Sequence, residues 1–349
     1  MIVDDTLREG LQMPGIAFTK EEKLKLAELI SNSGITTAIV SYPSAHNSEF
    51  EITKEIIQRK YFKTVFALGR ATIEDVNKIY ETGANISLHL PFQINNKDKL
   101  MDAIKYASKL DKILEVGLVN VTQYSINEIE KLVKDIENAG ANRLQVSDSL
   151  GVALPQEIKK IVSAIKSITN MEIIMHLHND LGLAITNAIT ALDGGADYID
   201  TTLFGIGERN GIVDSIIIIN YLNHLGIKMG INLSNLMIAY EYLERLISKK
   251  LGYKSFLDNF PIYGKNVSIL TAGTHAAFGQ VFKENNFSLN VYTGKNVIKK
   301  ILDEKNIHVD DEKLEYLVTK IKNDSVSLGK AFNENDLLKM VRDIYGKSN

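Results

Sequence analysis

The chain has 349 residues, 45% of them apolar and 24% charged, with a formal net charge of -3 and no cysteine. Its length exceeds what one hydrophobic core usually supports, so a large domain with a smaller appendage is expected. The charge balance indicates no broad basic surface for nucleic acid, and the lack of cysteine excludes disulfides, thiol catalysis and thiolate metal ligands.

The first residues already read as a strand, with no secretory or transit segment before them and no apolar run long enough to span a bilayer. A cytoplasmic protein with no membrane partner is therefore expected. In chain order, short β-rich runs then alternate with amphipathic helical patterns. The strands are predicted at Ile2–Asp5, Thr36–Ser41, Thr64–Leu68, Ile86–Leu90, Glu115–Val121, Arg143–Ser147, Glu172–His176 and Tyr198–Thr202. The helices between and after them are predicted at Lys20–Ser33, Ser48–Arg59, Ile73–Thr82, Lys97–Leu110, Asn127–Ala139, Pro155–Ile168, Leu183–Gly194 and Val213–Leu225. Eight βα units argue for a closed α/β barrel, the (β/α)8 TIM barrel, over an open doubly wound sheet. The turn after the first strand holds Arg8-Glu9-Gly10 and no glycine-rich phosphate loop.

Beyond about residue 230 the alternation stops. Leu233–Gly252 reads as a helix, an aromatic-rich connection runs from Tyr253 to Tyr263, and a small helical module begins near Phe287. The expected division is a catalytic barrel over 1–230, a linker subdomain over 231–286 and a small, mostly helical C-terminal module over 287–349.

Two motifs carry chemistry. His176-Leu177-His178-Asn179-Asp180 closes an apolar run, and alternate residues of a strand share a face, so both imidazoles project the same way. Asp5-Thr6-Leu7-Arg8-Glu9-Gly10 follows the first strand. Barrel logic puts every βα junction on one rim, and strands one, seven and eight are neighbours around a closed barrel. Glu9, His176 and His178 then form a three-ligand set for a divalent metal, with Zn²⁺, Mn²⁺ and Mg²⁺ all compatible. An ordinary partly exposed strand is the alternative for the histidine pair alone.

These motifs, together with Asp148-Ser149-Leu150-Gly151-Val152-Ala153, Gly205 to Gly211 and Ala272-Gly273-Thr274-His275-Ala276, resemble the metal-dependent acyl-CoA synthases of the homocitrate, isopropylmalate and citramalate synthase family. The likeness covers nearly the whole chain. Most of that family has aspartate after the arginine, whereas its homocitrate synthases carry glutamate, as Glu9 does here, and the GIGERNGI run found from Gly205 to Ile212. The resemblance implies a Claisen-type condensation of an acyl-CoA, acetyl-CoA above all, with a 2-oxo acid. It implies catalytic roles for Arg8, His275 and Glu208, with Arg8 stabilising oxygen charge near the metal. It also implies a homodimer in which the small subdomain lends His275 to its partner. The alternatives are a pure ion-pair role for Arg8, a hinge role for His275, and a bracing of the rim loop by Glu208 and Arg209.

The chain departs from the family around the substrate. The family's homocitrate synthases hold the distal carboxylate of 2-oxoglutarate with an arginine on the fifth strand, where this chain has Asn120. Ile39 stands near the site of the family's second-strand glutamate, and the tyrosine that follows the subdomain histidine has no clear match, with Tyr292 a displaced substitute. An amide cannot replace a bidentate guanidinium-carboxylate pair. A 2-oxo acid with a smaller or neutral tail is therefore expected, near His89, Asn120, Thr122 and Ser149, with Arg8 at its reacting end. The competing readings are a retro-aldol or acyl-CoA lyase on the same scaffold, against which the absence of cysteine weighs, and a non-catalytic ligand-binding paralogue.

Overall fold

The structure, a computed structural model, describes residues 1–94, 96–270 and 286–346. They fall into two compact units, Met1–Ser255 and Phe256–Asn349.

The first unit is a closed barrel of eight parallel strands in sequence order: β1 Ile2–Asp4, β2 Thr37–Ile39, β3 Thr64–Arg70, β4 Asn85–His89, β5 Leu114–Leu118, β6 Arg143–Asp148, β7 Glu172–Leu177 and β8 Tyr198–Thr201. Closure comes from β1, which pairs with both β2 and β8, Val3 lying opposite Asp200. The surrounding helices are α1 Lys20–Asn32, α2 Asn47–Gln58, α3 Ile73–Thr82, α4 Lys97–Ala107, α5 Ile126–Asn138, α6 Pro155–Lys166, α7 Ala184–Asp193 and α8 Ser215–His224. Local chemistry sets their starts. Thr19 and Glu22 form a reciprocal capping box on α1, and Ser125 and Glu128 form one on α5. Every predicted strand and helix of the barrel is present, α3 with the expected bounds and the others with shifted ends. β5 stops at Leu118, short of the expected Val121, because Asn120 turns into the left-handed region at φ 51°.

Inside the barrel, Val3, Ile39, Phe66, Ile174 and Tyr198 form an apolar cluster. Arg143, at the start of β6, stacks against the rings of Phe66 and Tyr198 and pairs with Glu172 at 2.6 Å. Toward the strand ends the interior turns polar. That change of lining, apolar first and charged above, is what positions the site. A ninth helix, α9 Leu233–Leu251, packs along α1, and the Tyr240 hydroxyl it carries donates to Asp214, the N-cap of α8, at 2.9 Å.

The second unit contains a two-residue parallel pair, β9 Ile269–Leu270 and β10 Asn286–Phe287, which the sequence pattern did not reveal. Its helices are α10 Lys295–Glu304, α11 Asp311–Leu328 and α12 Glu334–Tyr345. Their apolar faces meet in one core that includes Phe287, Ile298, Ile301, Leu317, Ile321 and Leu337. No helix among the described residues is long and apolar enough to cross a membrane.

Candidate active site

Strand β1 ends at Asp4, and the chain folds back at once. The Arg8 and Glu9 amides donate to the Asp5 carbonyl at 3.2 and 2.8 Å, and the Glu9 amide also meets the Asp5 carboxylate at 3.3 Å. This tight turn brings two charged side chains over the barrel interior. Arg8 donates from Nη1 to Glu9 Oε2 at 2.7 Å and from Nη2 to Asp5, and all three residues are buried. The Arg8 Nε–H is buried without a partner.

From β7, His176 and the next residue but one, His178, project to the same side, their ring centroids 5.1 Å apart. Glu9, His176 and His178 each offer a ligand atom, and the three atoms lie within 4.8 Å of one another. Burial, opposed by the Glu9 carboxylate and reinforced by Arg8 and His178, pushes His176 down to about 3. Burial also lowers His178. Both imidazoles are therefore neutral near pH 7 and keep a lone pair free for a metal. His178 Nδ1 is buried without a hydrogen-bond partner. Two neutral imidazoles and a carboxylate, with one nitrogen unpartnered, fit a divalent cation. The electrostatics agree, because Asp5, Glu115 and Asp200 are buried nearby and burial raises all three, the last two to about 7. A second trio, Asp5, His176 and Asp200, is also close. Its groups are already engaged with one another and with Arg8: His176 Nδ1 lies 3.1 Å from Asp200 Oδ2 and 3.9 Å from Asp5 Oδ2.

The loop after β8 closes over Glu9. A Cβ on Gly211 would sit 1.7 Å from the Gly205 carbonyl oxygen, and one on Gly207 would sit 2.8 Å from Glu9 Oε1. Glycine at both positions lets the backbone pass close enough for the Glu208 amide to donate to Glu9 Oε1 at 2.9 Å. The Glu208 side chain is instead half exposed and paired with Arg209 at 3.0 Å. Its backbone, and not its carboxylate, meets the ligand set. Arg209 reaches across to Asp180 and to the Ser149 carbonyl, which joins the loops after β6, β7 and β8.

The residues expected near the substrate sit on the neighbouring strand ends. His89 closes β4 and lies against Gly117 of β5, where a Cβ would come within 2.5 Å of its ring. Burial, with Arg8 and His176 close by, pushes His89 down to about 3, so it too is neutral. The Asn120 main-chain N–H donates to Ser149 Oγ at 2.9 Å, and the Thr122 hydroxyl donates to Asn120 Oδ1 at 3.4 Å. Thr122 also lines an outward cleft with Ser125, Lys160 and Ile161. Ile39 belongs to the interior apolar cluster, so nothing acidic stands at that point of β2. Two cations that could have served a second carboxylate are committed elsewhere: Arg70 to Asp75 at 2.9 Å, and Lys97 to Asp135. Tyr292 is 74% exposed on the second unit, and His275 lies outside the described residues.

Sequence reasoning missed Gln145 and Asp200, which stand beside His176 inside the barrel. The available signal was alternation: Gln145 and Ser147 on β6 alternate with the apolar Leu144 and Val146, and Asp200 follows Ile199 two residues after Tyr198 on β8.

Comparison with known proteins agrees with this geometry. The HMGL-like family profile matches residues 1–242. A probable 2-isopropylmalate synthase of Archaeoglobus fulgidus is 27% identical over 376 aligned residues, spanning 99% of this chain and 73% of that protein. Homocitrate synthase AksA of Methanocaldococcus jannaschii is 33% identical over 290 residues, 78% of this chain and 70% of that one. Among solved structures, the HMG-CoA lyase of Bacillus subtilis matches with a TM-score of 0.64 at 20% identity, covering 72% of this chain and 94% of that one, a likeness of fold. A barrel with a Glu-His-His trio at its strand ends, the matched profile and these relatives lead to one assignment: the chain belongs to the HMGL-like family, as a member similar to the homocitrate and isopropylmalate synthases.

Proposed function

We propose that the protein condenses an acyl-CoA, acetyl-CoA, with a 2-oxo acid and releases CoA. The observation that carries this reading is the convergence of Glu9, His176 and His178 on one point. These residues would hold one divalent ion, Zn²⁺, Mn²⁺ or Mg²⁺, which when bound supplies Lewis acidity toward the 2-oxo group. In the reaction, the acetyl methyl carbon loses a proton and bonds to the keto carbon of the 2-oxo acid. The keto oxygen ends as a hydroxyl, and water then cleaves the thioester to free CoA and a carboxylate.

The chain's own residues divide this work. Arg8, fixed by Asp5 and Glu9, keeps a buried Nε–H unpartnered beside the ligand set and is suited to stabilising charge developing on oxygen. His275 is the candidate for moving the methyl proton, from the second unit of a partner subunit in a homodimer. Glu208 positions Glu9 through its backbone amide. His89, Asn120, Thr122 and Ser149 would receive the tail of the 2-oxo acid. They offer neutral polar contacts, which favours a tail without charge. We place the enzyme in the cytoplasm.

The barrel shared with HMG-CoA lyase supports a second reading, cleavage of a carbon-carbon bond on the same scaffold. One assay separates the two. Thiol release is followed with acetyl-CoA and a panel of 2-oxo acids, with and without chelator. Release that needs both substrates and a divalent ion is expected. Release of no CoA under any pairing would overturn the condensation, and cleavage of a hydroxyacyl-CoA would then establish the lyase.

A further inference from the structure

The two metal-site histidines are not held alike. His176 Nδ1 lies 3.1 Å from Asp200 Oδ2, while His178 Nδ1 is buried with no partner. Asp200 is completely buried on β8, next to β1 and across from Val3. The same oxygen that faces His176 accepts the Gln145 Nε2–H from β6 at 2.7 Å. Gln145 is also completely buried. The Gln145 donor favours the carboxylate form of Asp200, and a carboxylate contact with His176 is donated by the imidazole Nδ1–H. A neutral imidazole has one N–H, so Nε2 is left with a lone pair. Asp5, the other carboxylate near this ring, is 3.9 Å away and already ion-paired with Arg8.

We infer that Asp200, held by Gln145, is the positioning residue of the metal centre: it fixes His176 as the Nδ1–H tautomer and turns Nε2 toward Glu9 and His178. This rests on the metal reading of that trio. Partners of this kind set ring orientation and raise ligand basicity, and their loss typically weakens metal binding by about 10–100-fold. Gln145 has a second role in the arrangement. Its Nε2 donates to Asp200, and its Oε1, which accepts from the Ser147 hydroxyl at 3.5 Å, lies beside His89. The metal ligand and the expected substrate contact are thus joined through two buried side chains.

The test uses the full chain stripped of metal, with Zn²⁺ as the probe. Zn²⁺ affinity is measured by calorimetry, and the ring nitrogens of histidine are read by ¹⁵N NMR, the His176 signal being identified by its loss in His176→Gln. The parent should show His176 as a single Nδ1–H form. Asp200→Ala should weaken Zn²⁺ binding about 10–100-fold and convert His176 to a mixture of tautomers. Gln145→Met should act in the same direction, less strongly, and it carries the test if circular dichroism shows Asp200→Ala to be unfolded. Zn²⁺ affinity within twofold of the parent with an unchanged His176 tautomer would overturn the inference. If the parent binds no Zn²⁺, the metal reading fails, and the tautomer measurement alone decides whether Asp200 orients His176.

Discussion

Arg209 clasps Asp180 through two parallel hydrogen bonds, Nε to Oδ1 at 2.9 Å and Nη2 to Oδ2 at 3.0 Å, and Nη2 also reaches the Ser149 carbonyl at 2.7 Å. One side chain from the loop after β8 thereby ties down the loops after β6 and β7. Its backbone is in the left-handed region at φ 54°, a conformation that costs a non-glycine residue energy. Arg209→Lys keeps the charge and loses the fork. Because the pair is partly exposed, stability should fall by less than about 1 kcal/mol. The KM for the 2-oxo acid should rise, since Ser149 and the His178 loop lose their brace. Steady-state kinetics beside urea unfolding checks this, and an unchanged KM would leave the clasp without a role at the site.

Removing a ligand should separate metal binding from folding. His178→Ala deletes a neutral imidazole at the end of β7, and the ring is not part of the apolar core. Metal-dependent turnover should vanish while the circular dichroism spectrum stays that of the parent. Full retention of stoichiometric metal binding in this variant would sink the assignment of His178.

Arg8→Lys probes transition-state charge. The lysine keeps one positive charge but cannot span Asp5 and Glu9 together as the guanidinium does. Turnover should fall by about 10²–10³, the scale for losing a well-placed donor to a developing oxyanion. Substrate affinity should change less. A lysine variant with near-normal turnover would reduce Arg8 to an ion-pair partner.

Specificity is the fourth kinetic prediction. The Asn120 main-chain N–H is held on Ser149 and its side chain carries no charge, while Arg70 and Lys97 are each paired with an aspartate. A second substrate carboxylate buried there without a cation would cost several kcal/mol. 2-Oxoglutarate should therefore be poor beside pyruvate or 2-oxoisovalerate in catalytic efficiency. Asn120→Arg should shift the preference toward 2-oxoglutarate. Clear preference of the parent for 2-oxoglutarate would contradict the argument from β5.

A last prediction concerns pH. Asp75, buried at the start of α3, accepts from the Arg70 guanidinium at 2.9 and 3.0 Å, the Arg70 amide at 2.8 Å and the Tyr42 hydroxyl at 3.0 Å. Burial opposes its charge, yet these donors hold the carboxyl down at about 2, against an ordinary 3.8. The folded-state value lies below the unfolded one, so the stabilisation is present above 3.8 and is lost as pH falls through about 2. Asp75→Asn should cost about 1–2 kcal/mol at neutral pH, the exposure of Arg70 limiting the figure. The gap between variant and parent should close toward pH 2. A gap that does not change with pH, in urea titrations, would show that packing and not charge is the cause.

What the sequence determined by itself was whatever depends on residues close together in the chain. The alternation of period-2 and period-3.6 patterns specified eight βα units, because each strand and helix must bury a face with its own periodicity. The HxH spacing put two imidazoles on one side of β7, and the turn after β1 put Arg8 and Glu9 at a strand end. Closure of the barrel, which brings Glu9 to His176 across more than 160 positions, could be inferred only from the count of units. The tertiary structure decided the rest. Asp200 and Gln145 look like ordinary strand residues until β6, β7 and β8 lie side by side and register sets them against the His176 ring. The Glu208 carboxylate, promising in sequence, is turned to Arg209, while its amide serves Glu9. The short pair of β9 and β10 carried no pattern to find, since two residues are fewer than one period of alternation can mark. Periodicity encodes which face is buried; which side chains then meet is settled by register and loop path, and those depend on the whole barrel closing.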